Sequence, residues 1–364
     1  MRVHGYLMGD GRFFLTDPAG ASQQVFLVRR LRPLVEGTLA RRLAYRFMPD
    51  FGQGNPVIQE VYLETTQFPA AHLRAGKFKA PIGLEVMRQD RALTFPERSL
   101  ASDMVPLREL GVQVAGSVLE KNLTYEAGFF NGTSDGANAD FAWSGSNETA
   151  GRIRLSPFTP AASSRLQEIA FGIGASVGHE HGALPSYKTV GQKTFFKFQS
   201  GAYAQGLHVR LAPQAEYFRG PLGVMAEFVV SDLVAHMGTG NAELRNSAWE
   251  VSGSYFLTGE RNSYGIATPV RTFNPAHPLR DTGAWEVAFR HSEAQMDTKA
   301  FPLYANPSSS ARVARESAGG VSWYLNRGIK LMAFFENTTF SAATPNRNPL
   351  TPERLIATRL QLAF

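Results

Sequence analysis

Arginine is the residue type in this chain whose number and spacing could do chemistry. Only 8 of the 37 basic residues are Lys, which leaves 29 Arg (37 − 8). A guanidinium is permanently charged and offers its donors as a rigid fork, so it suits the holding or guiding of anions. Several arginines recur at even spacings, as Arg30 with Arg32, Arg42 with Arg46, and Arg152 with Arg154. Arg210, Arg290 and Arg359 stand alone on the polar face of similar segments, and Arg29 adjoins Arg30. A further basic set, Lys77, Lys79, Arg88, Arg91, Arg98 and Arg108, is strung along 76–111 among Glu85, Asp90, Glu97, Asp103 and Glu109. A high-GC codon bias could choose Arg over Lys, but it cannot choose the face on which Arg falls.

Other chemistries find little support. His179-Glu180-His181 could put two histidines on one strand face, but no third ligand can be placed, so no metal or cofactor is expected. His208, His236 and His291 stand alone, with neither a nucleophile elbow nor a carboxylate pair beside them. No enzyme is expected. Zero cysteines removes disulfides and thiolate metal sites. Basic residues near aromatics could suggest nucleic acid, but the strand pattern turns them into an interior, so no nucleic-acid partner is expected.

The elements that must position these arginines read as strands. Leu43, Tyr45 and Phe47 oppose Arg42, Ala44 and Arg46; Ile153 and Leu155 oppose Arg152 and Arg154. Leu207, Val209 and Leu211 oppose His208 and Arg210; Trp285, Val287 and Phe289 oppose Glu286 and Arg290. A period of two sustained along the chain is the half-buried strand signal, and no run approaches the ~18 apolar residues of a membrane helix. A soluble sandwich would bury the apolar face, whereas a membrane barrel turns it to lipid around a polar lumen. Charges of both signs on the polar face favour the barrel. So do aromatics near segment ends (Tyr45, Phe47, Phe68, Phe129, Phe130, Tyr217, Phe218, Trp323) and the alternation of short with long connections. The short ones are 69–72, 119–121 and 326–328; the long ones are 132–149, 180–199, 235–245, 292–316 and 339–351. The chain ends on an alternating strand that closes with Phe364, as outer-membrane barrels do.

The expected fold is therefore all-β: a single transmembrane antiparallel β-barrel over 1–364 with about sixteen strands. At ~9–11 residues per crossing, such a wall uses roughly 160 residues. The charged, partly apolar stretch 79–107 is too long for an ordinary connection and is expected to fold into the pore as a constriction loop. Arg30 and Arg32 share a face with Glu36, so Arg29 cannot also point inward from a regular strand; a bulge or a position near the rim is required. Glu60, Glu64, Glu126, Glu227 and Glu286 share the inward face. No export signal is visible at the start, so either the protein is cytosolic or a signal is absent from this numbering.

From Gly76 onward the chain resembles the phosphate-selective porin O and P family. The matching stretches are GKFKAPIGLE (76–85), PERSL (96–100), PLRELGVQV (106–114), YEAGFFNG (125–132), GRIRLSP (151–157), QAEYF (214–218), SYFLTGE (254–260), GAWEVAFRHS (283–292) and the terminal strand. The resemblance implies a trimeric, sixteen-stranded outer-membrane channel whose third loop narrows an arginine-rich pore. It aligns Arg29-Arg30 with an arginine pair, Lys77 with a basic position before the loop, and Arg91 with a constriction-loop lysine of phosphate-specific members. This chain has Arg in place of that Lys, and its later loops lack an obvious lysine cluster.

The expected function is a bacterial outer-membrane porin for passive diffusion of small anions, phosphate or polyphosphate among them. The expected pore-lining set is Arg29, Arg30, Arg32, Arg42, Arg46, Lys77, Arg88, Arg91, Arg98, Arg152, Arg154, Arg210 and Arg290. Its partners would be such anions, outer-membrane lipid and lipopolysaccharide, and two further copies in a homotrimer. The alternatives are a weakly selective porin or a plugged barrel with an enzymatic or adhesive role.

Overall fold

A computed structural model describes residues 1–120, 122–138, 145–158, 168–343 and 350–364. The wall is built from β1 (Arg2–Thr16), β2 (Gln23–Leu39), β3 (Leu43–Asp50), β4 (Val57–Thr65), β5 (His72–Phe78), β6 (Glu109–Val118), β7 (Leu123–Phe130), β8 (Asn147–Leu155) and β9 (Ile169–Ala183). A small hairpin, β10 (Ser186–Lys188) with β11 (Thr194–Lys197), stands apart from it. The wall resumes with β12 (Tyr203–Arg219), β13 (Leu222–Met237), β14 (Gly240–Phe256), β15 (Ala284–Gln295), β16 (Val313–Tyr324), β17 (Ile329–Ser341) and β18 (Glu353–Ala363). Each strand pairs antiparallel with its neighbours, and β1 closes on β18 with Asp10 opposite Arg359. Sixteen strands make the closed barrel.

Period two becomes inside and outside. Val61, Leu63, Val112, Val114, Phe171, Ile173, Leu207, Leu211 and Phe228 are exposed on the outer face. Glu60, Arg152, Arg210, Glu227, Glu286, Arg290 and Arg359 are buried on the inner one. A charge on the lipid face at mid-membrane would cost ~2–4 kcal/mol, which fixes this choice of side. Trp285 stacks on Trp323 at 5.1 Å, with Phe273 edge-on at 4.9 Å, as an aromatic cluster at one end of the wall. Phe130 departs from the expected girdle: it points inward and packs on Phe78 at 5.6 Å.

That end, here called the turn end, also holds the termini, where the Gly5 N–H donates to the Phe364 carbonyl at 2.8 Å. Tight turns such as Ala40–Arg42 lie there too. Connections at the opposite, loop end are mostly longer. Two expected connections differ. β13 and β14 run on to Met237 and Gly240, so 235–245 is a hairpin tip with a two-residue turn and not a long loop. Conversely, 257–283 is a long connection at the turn end, which periodicity missed because its Gly and Pro carry no strand pattern. Lys121 and parts of 132–149 and 339–351 lie outside the described residues.

The segment between β5 and β6 is not structureless. It holds a helical turn at Leu84–Met87 and 3-10 turns at Asp90–Ala92 and Leu100–Met104. Its contacts come from strands around the barrel. Glu227 of β13 accepts the Leu84 N–H at 2.6 Å, Arg290 of β15 donates to the Glu97 carbonyl at 2.9 Å, and Lys330 of β17 donates to the Leu93 carbonyl at 2.8 Å. Phe95 packs edge-on against Phe334 at 5.2 Å. On β9, Gly174 lets the segment lie flat on the wall, because a Cβ there would stand 2.1 Å from the Ile82 carbonyl oxygen.

Candidate functional site

The inner wall has two unlike sides. On β8 and β12–β18 the arginines are sealed into ion pairs and carbonyl contacts. Arg210 holds Asp135 at 2.6 Å and Glu148 at 2.9 Å. Arg290, fully buried, holds Glu316 at 3.2 Å and lies over the Phe95 ring at 4.4 Å. Arg359 holds Asp10 at 2.6 Å and Glu97 at 2.9 Å. Arg152 donates to Gln214 at 2.9 Å, and Arg154 pairs with Glu216. A buried charge is tolerated only when paired and hydrogen-bonded, and these carbonyls and carboxylates meet that demand.

On β1–β5 the wall borders open space. A chamber of about 510 Å³ at the loop end is lined by Arg29, Arg30, Arg32, Asp50, Glu97, Arg98, Asp103 and Lys188, among others. A second, of about 430 Å³, at the turn end is lined by Tyr6, Arg46, Glu60, Tyr62, Arg74, Lys79, Asp90 and Arg91, among others. Arg108 borders both and is the one described residue they share. It reaches Glu60 at 3.2 Å and Asp90 at 3.6 Å.

The Arg29-Arg30 problem is solved by a bulge. Met8 pairs with Arg30 but Gly9 pairs with Val28, so Arg29 is the extra residue in β2. A bulge of this kind re-aims a side chain, and Arg29 joins Arg30 at Glu97, at 2.6 Å and 3.6 Å. The connection after β3 pins it. Asp50 accepts the N–H groups of Leu31 at 3.0 Å and Gly52 at 2.9 Å. Gly52 lies so close over the bulge that a Cβ would meet the Arg29 carbonyl oxygen at 2.6 Å.

Two carboxylates of the inward segment organise the cations. Arg12 and Arg359 also reach Glu97, at 3.0 Å and 2.9 Å. Asp90 receives Arg32, and Arg98 at 2.8 Å. Burial alone would raise both acids, but for Glu97 the guanidinia of Arg29, Arg30 and Arg359, and for Asp90 those of Arg32, Arg98 and Arg30, hold them well below the ordinary carboxylate range. Two groups next to the chambers move toward neutrality. Burial, with Arg108 and Arg98 nearby and Asp90 opposing, pushes the Lys79 ammonium down to about 7. Burial, with Glu97 and Asp135 adding to it, pushes the Asp103 carboxyl up to about 7.

The expected pore-lining residues therefore divide. Arg29, Arg30, Arg32 and Arg98 border the loop-end chamber, and Arg46 and Arg91 the turn-end one. Arg42 does not line the lumen. It is the last residue of the Ala40–Arg42 turn, exposed at the rim, because Ala40 and Arg41 adopt positive φ and end the alternation there. Lys77 is buried at the end of β5 beyond Gly76 (φ +132°) and borders neither chamber. Arg88 is turned away from both, to the carbonyls of Tyr264 at 3.0 Å and Ser263 at 3.3 Å, because 257–283 rises beside it. Arg152, Arg154, Arg210 and Arg290 point inward but border neither chamber. His179 is exposed on the outer face, while Glu180 points inward to His208. The described residues hold no group of three metal ligands.

Five basic residues outside the expected set matter: Lys79 and Lys188, which line the chambers, and Arg12, Arg74 and Arg108. Arg12 and Arg74 share the parity of inward neighbours, so alternation could have found them. Arg108 immediately precedes β6, so alternation does not mark it and only its place in the charged stretch 76–111 does.

A family model described as "Phosphate-selective porin O and P" matches residues 6–364. Porin O of Pseudomonas aeruginosa is 24% identical over 335 residues, covering 85% of this chain and 74% of that protein. The trimer form of the outer-membrane protein OmpT of Vibrio cholerae superposes with a TM-score of 0.60 at 10% identity, covering 100% of this chain and 98% of that one. An anion-selective porin from Comamonas acidovorans gives 0.60 at 11% identity, covering 100% and 99%.

Proposed function

This chain belongs to the phosphate-selective porin O and P family and is a porin channel of the bacterial outer membrane, and we propose that it passes small anions along its β1–β5 wall. The observation that carries this reading is the excess of cations in both chambers. Among the described residues, six basic side chains at the loop end (Arg29, Arg30, Arg32, Arg98, Arg108, Lys188) meet four acids (Asp50, Glu97, Asp103, Asp135). At the turn end five (Arg46, Arg74, Lys79, Arg91, Arg108) meet three (Glu60, Glu64, Asp90). Narrow passages with low-dielectric walls focus such an excess into a field that concentrates anions, and rings of Arg or Lys select anions.

In this reading the stretch 79–107 is the constriction loop within a single barrel domain, and Arg108 stands at the passage between the chambers. Phosphate is among the anions proposed, supported by the family's description. A homotrimer is the proposed assembly, supported by the trimer form of the OmpT neighbour, and outer-membrane lipid and lipopolysaccharide are its proposed surroundings. The test is a planar bilayer under a KCl gradient. The reversal potential is expected on the chloride side of zero; a potassium-side potential overturns the reading.

A further inference from the structure

The two chambers differ in more than charge. Among the described residues no aromatic side chain lines the loop-end chamber, whereas Tyr6, Tyr62 and Phe78 all line the turn-end one, beside Leu34 and Met48. Arg74 lies 4.5 Å from the Tyr62 ring centroid and 5.3 Å from that of Phe78, and Arg46 lies 5.8 Å from Tyr62. These cations are already engaged: Arg74 with Glu64 at 2.9 Å, Arg46 with Glu36 at 2.8 Å. Arg91 is different. Among the described residues its guanidinium pairs with no carboxylate, and its buried Nε has no hydrogen-bond partner. Arg91 borders the same space as the rings. At about 430 Å³ the chamber is the size of a small-molecule pocket.

We propose that the turn-end chamber is a binding site for small carboxylates with an aromatic body, of the benzoate type. The carboxylate takes the free guanidinium fork of Arg91, and the ring takes the apolar side formed by Tyr6, Tyr62 and Phe78. This rests on the anion-channel reading and narrows it. Planar bidentate pairing is what a guanidinium offers a carboxylate, and aromatic rings stack offset or edge-on with gain beyond area alone. A phosphate ion, small and strongly hydrated, draws nothing from the ring faces, so they are unexplained by phosphate passage.

The test is block of the chloride current of the whole protein in a planar bilayer, with benzoate, acetate and inorganic phosphate compared at equal concentration. Benzoate is expected to block saturably and more strongly than either of the others. Replacing Tyr62 by Leu, which keeps an apolar side chain and removes the ring, is expected to weaken benzoate block about tenfold and acetate block far less. Arg91→Gln is expected to weaken block by both carboxylates. Equal block by acetate and benzoate, or no benzoate block in a chloride-selective channel, overturns this inference and leaves the anion reading standing. A potassium-selective reversal potential removes both.

Discussion

Arg290 and Arg91 show how one residue type plays two parts in one lumen. Arg290, on the β15 side, is fully buried, paired with Glu316 and stacked on Phe95, and it holds the inward segment by the Glu97 carbonyl. Arg91, on that same segment, borders the turn-end chamber with no carboxylate partner among the described residues. The first spends its charge on architecture. The second has no such partner, and in the proposed reading its charge faces the permeating ion. A count of arginines thus says nothing of selectivity until each one's partner is known.

The comparison can be broken at several points. The largest effect is expected at the sealed side. Arg290→Ala strands buried Glu316 and Glu85, and removing one member of a buried pair costs about 3–5 kcal/mol. Loss of the folded band on unheated gels, or a matching fall in thermal stability, checks it; a variant as stable as the parent would place Arg290 with the open wall. Next is Glu97→Gln, which relieves four guanidinia of their shared counter-charge. The reversal potential is expected to move further toward chloride, and movement toward potassium would show that Glu97 acts only as a brace.

Arg91→Gln is expected to lower chloride selectivity while altering stability by no more than about 0.5 kcal/mol, as for a side chain outside any network. A large loss of stability would erase its contrast with Arg290. A pH effect comes fourth. Lys79, near 7, is charged below that pH and neutral above it; Asp103, near 7, is neutral below and charged above. Both changes lower the chambers' net charge as pH rises from 6 to 8, so chloride selectivity is expected to fall over that interval. A flat profile would mean neither group titrates there. The smallest effect is salt. The Debye length shrinks from about 10 Å at 0.1 M to about 3 Å at 1 M, so selectivity should weaken with KCl in the parent and less in Arg91→Gln.

Much of the wall was legible from the residues. Alternation places Arg46, Arg152, Arg210 and Arg290 inside, because a charge facing lipid is too costly for the opposite parity. It even poses the Arg29-Arg30 conflict that the bulge resolves. It fails where chain geometry stops being periodic: at Arg42 in a positive-φ turn, at the extended β13–β14 hairpin, and in 257–283, which no alternation describes. The site was less legible. Arg29, Arg30, Arg32, Arg46, Arg91 and Arg98 reach the chambers, but Arg88 does not, since its partners Ser263 and Tyr264 lie some 175 positions along the chain.

What the sequence determined by itself is the side of the wall on which each strand residue stands. Solvation decides that locally, residue by residue, at a period of two. What only the tertiary structure decided is which inward charges cancel. Pairing depends on distances between strands and loops far apart in sequence, and a difference of an ångström or two separates a neutral brace from an open cation. Strand parity places Arg290 and the charged stretch 79–107 places Arg91, but only closure of the barrel around its inward segment makes the first a clamp and leaves the second with no carboxylate partner among the described residues.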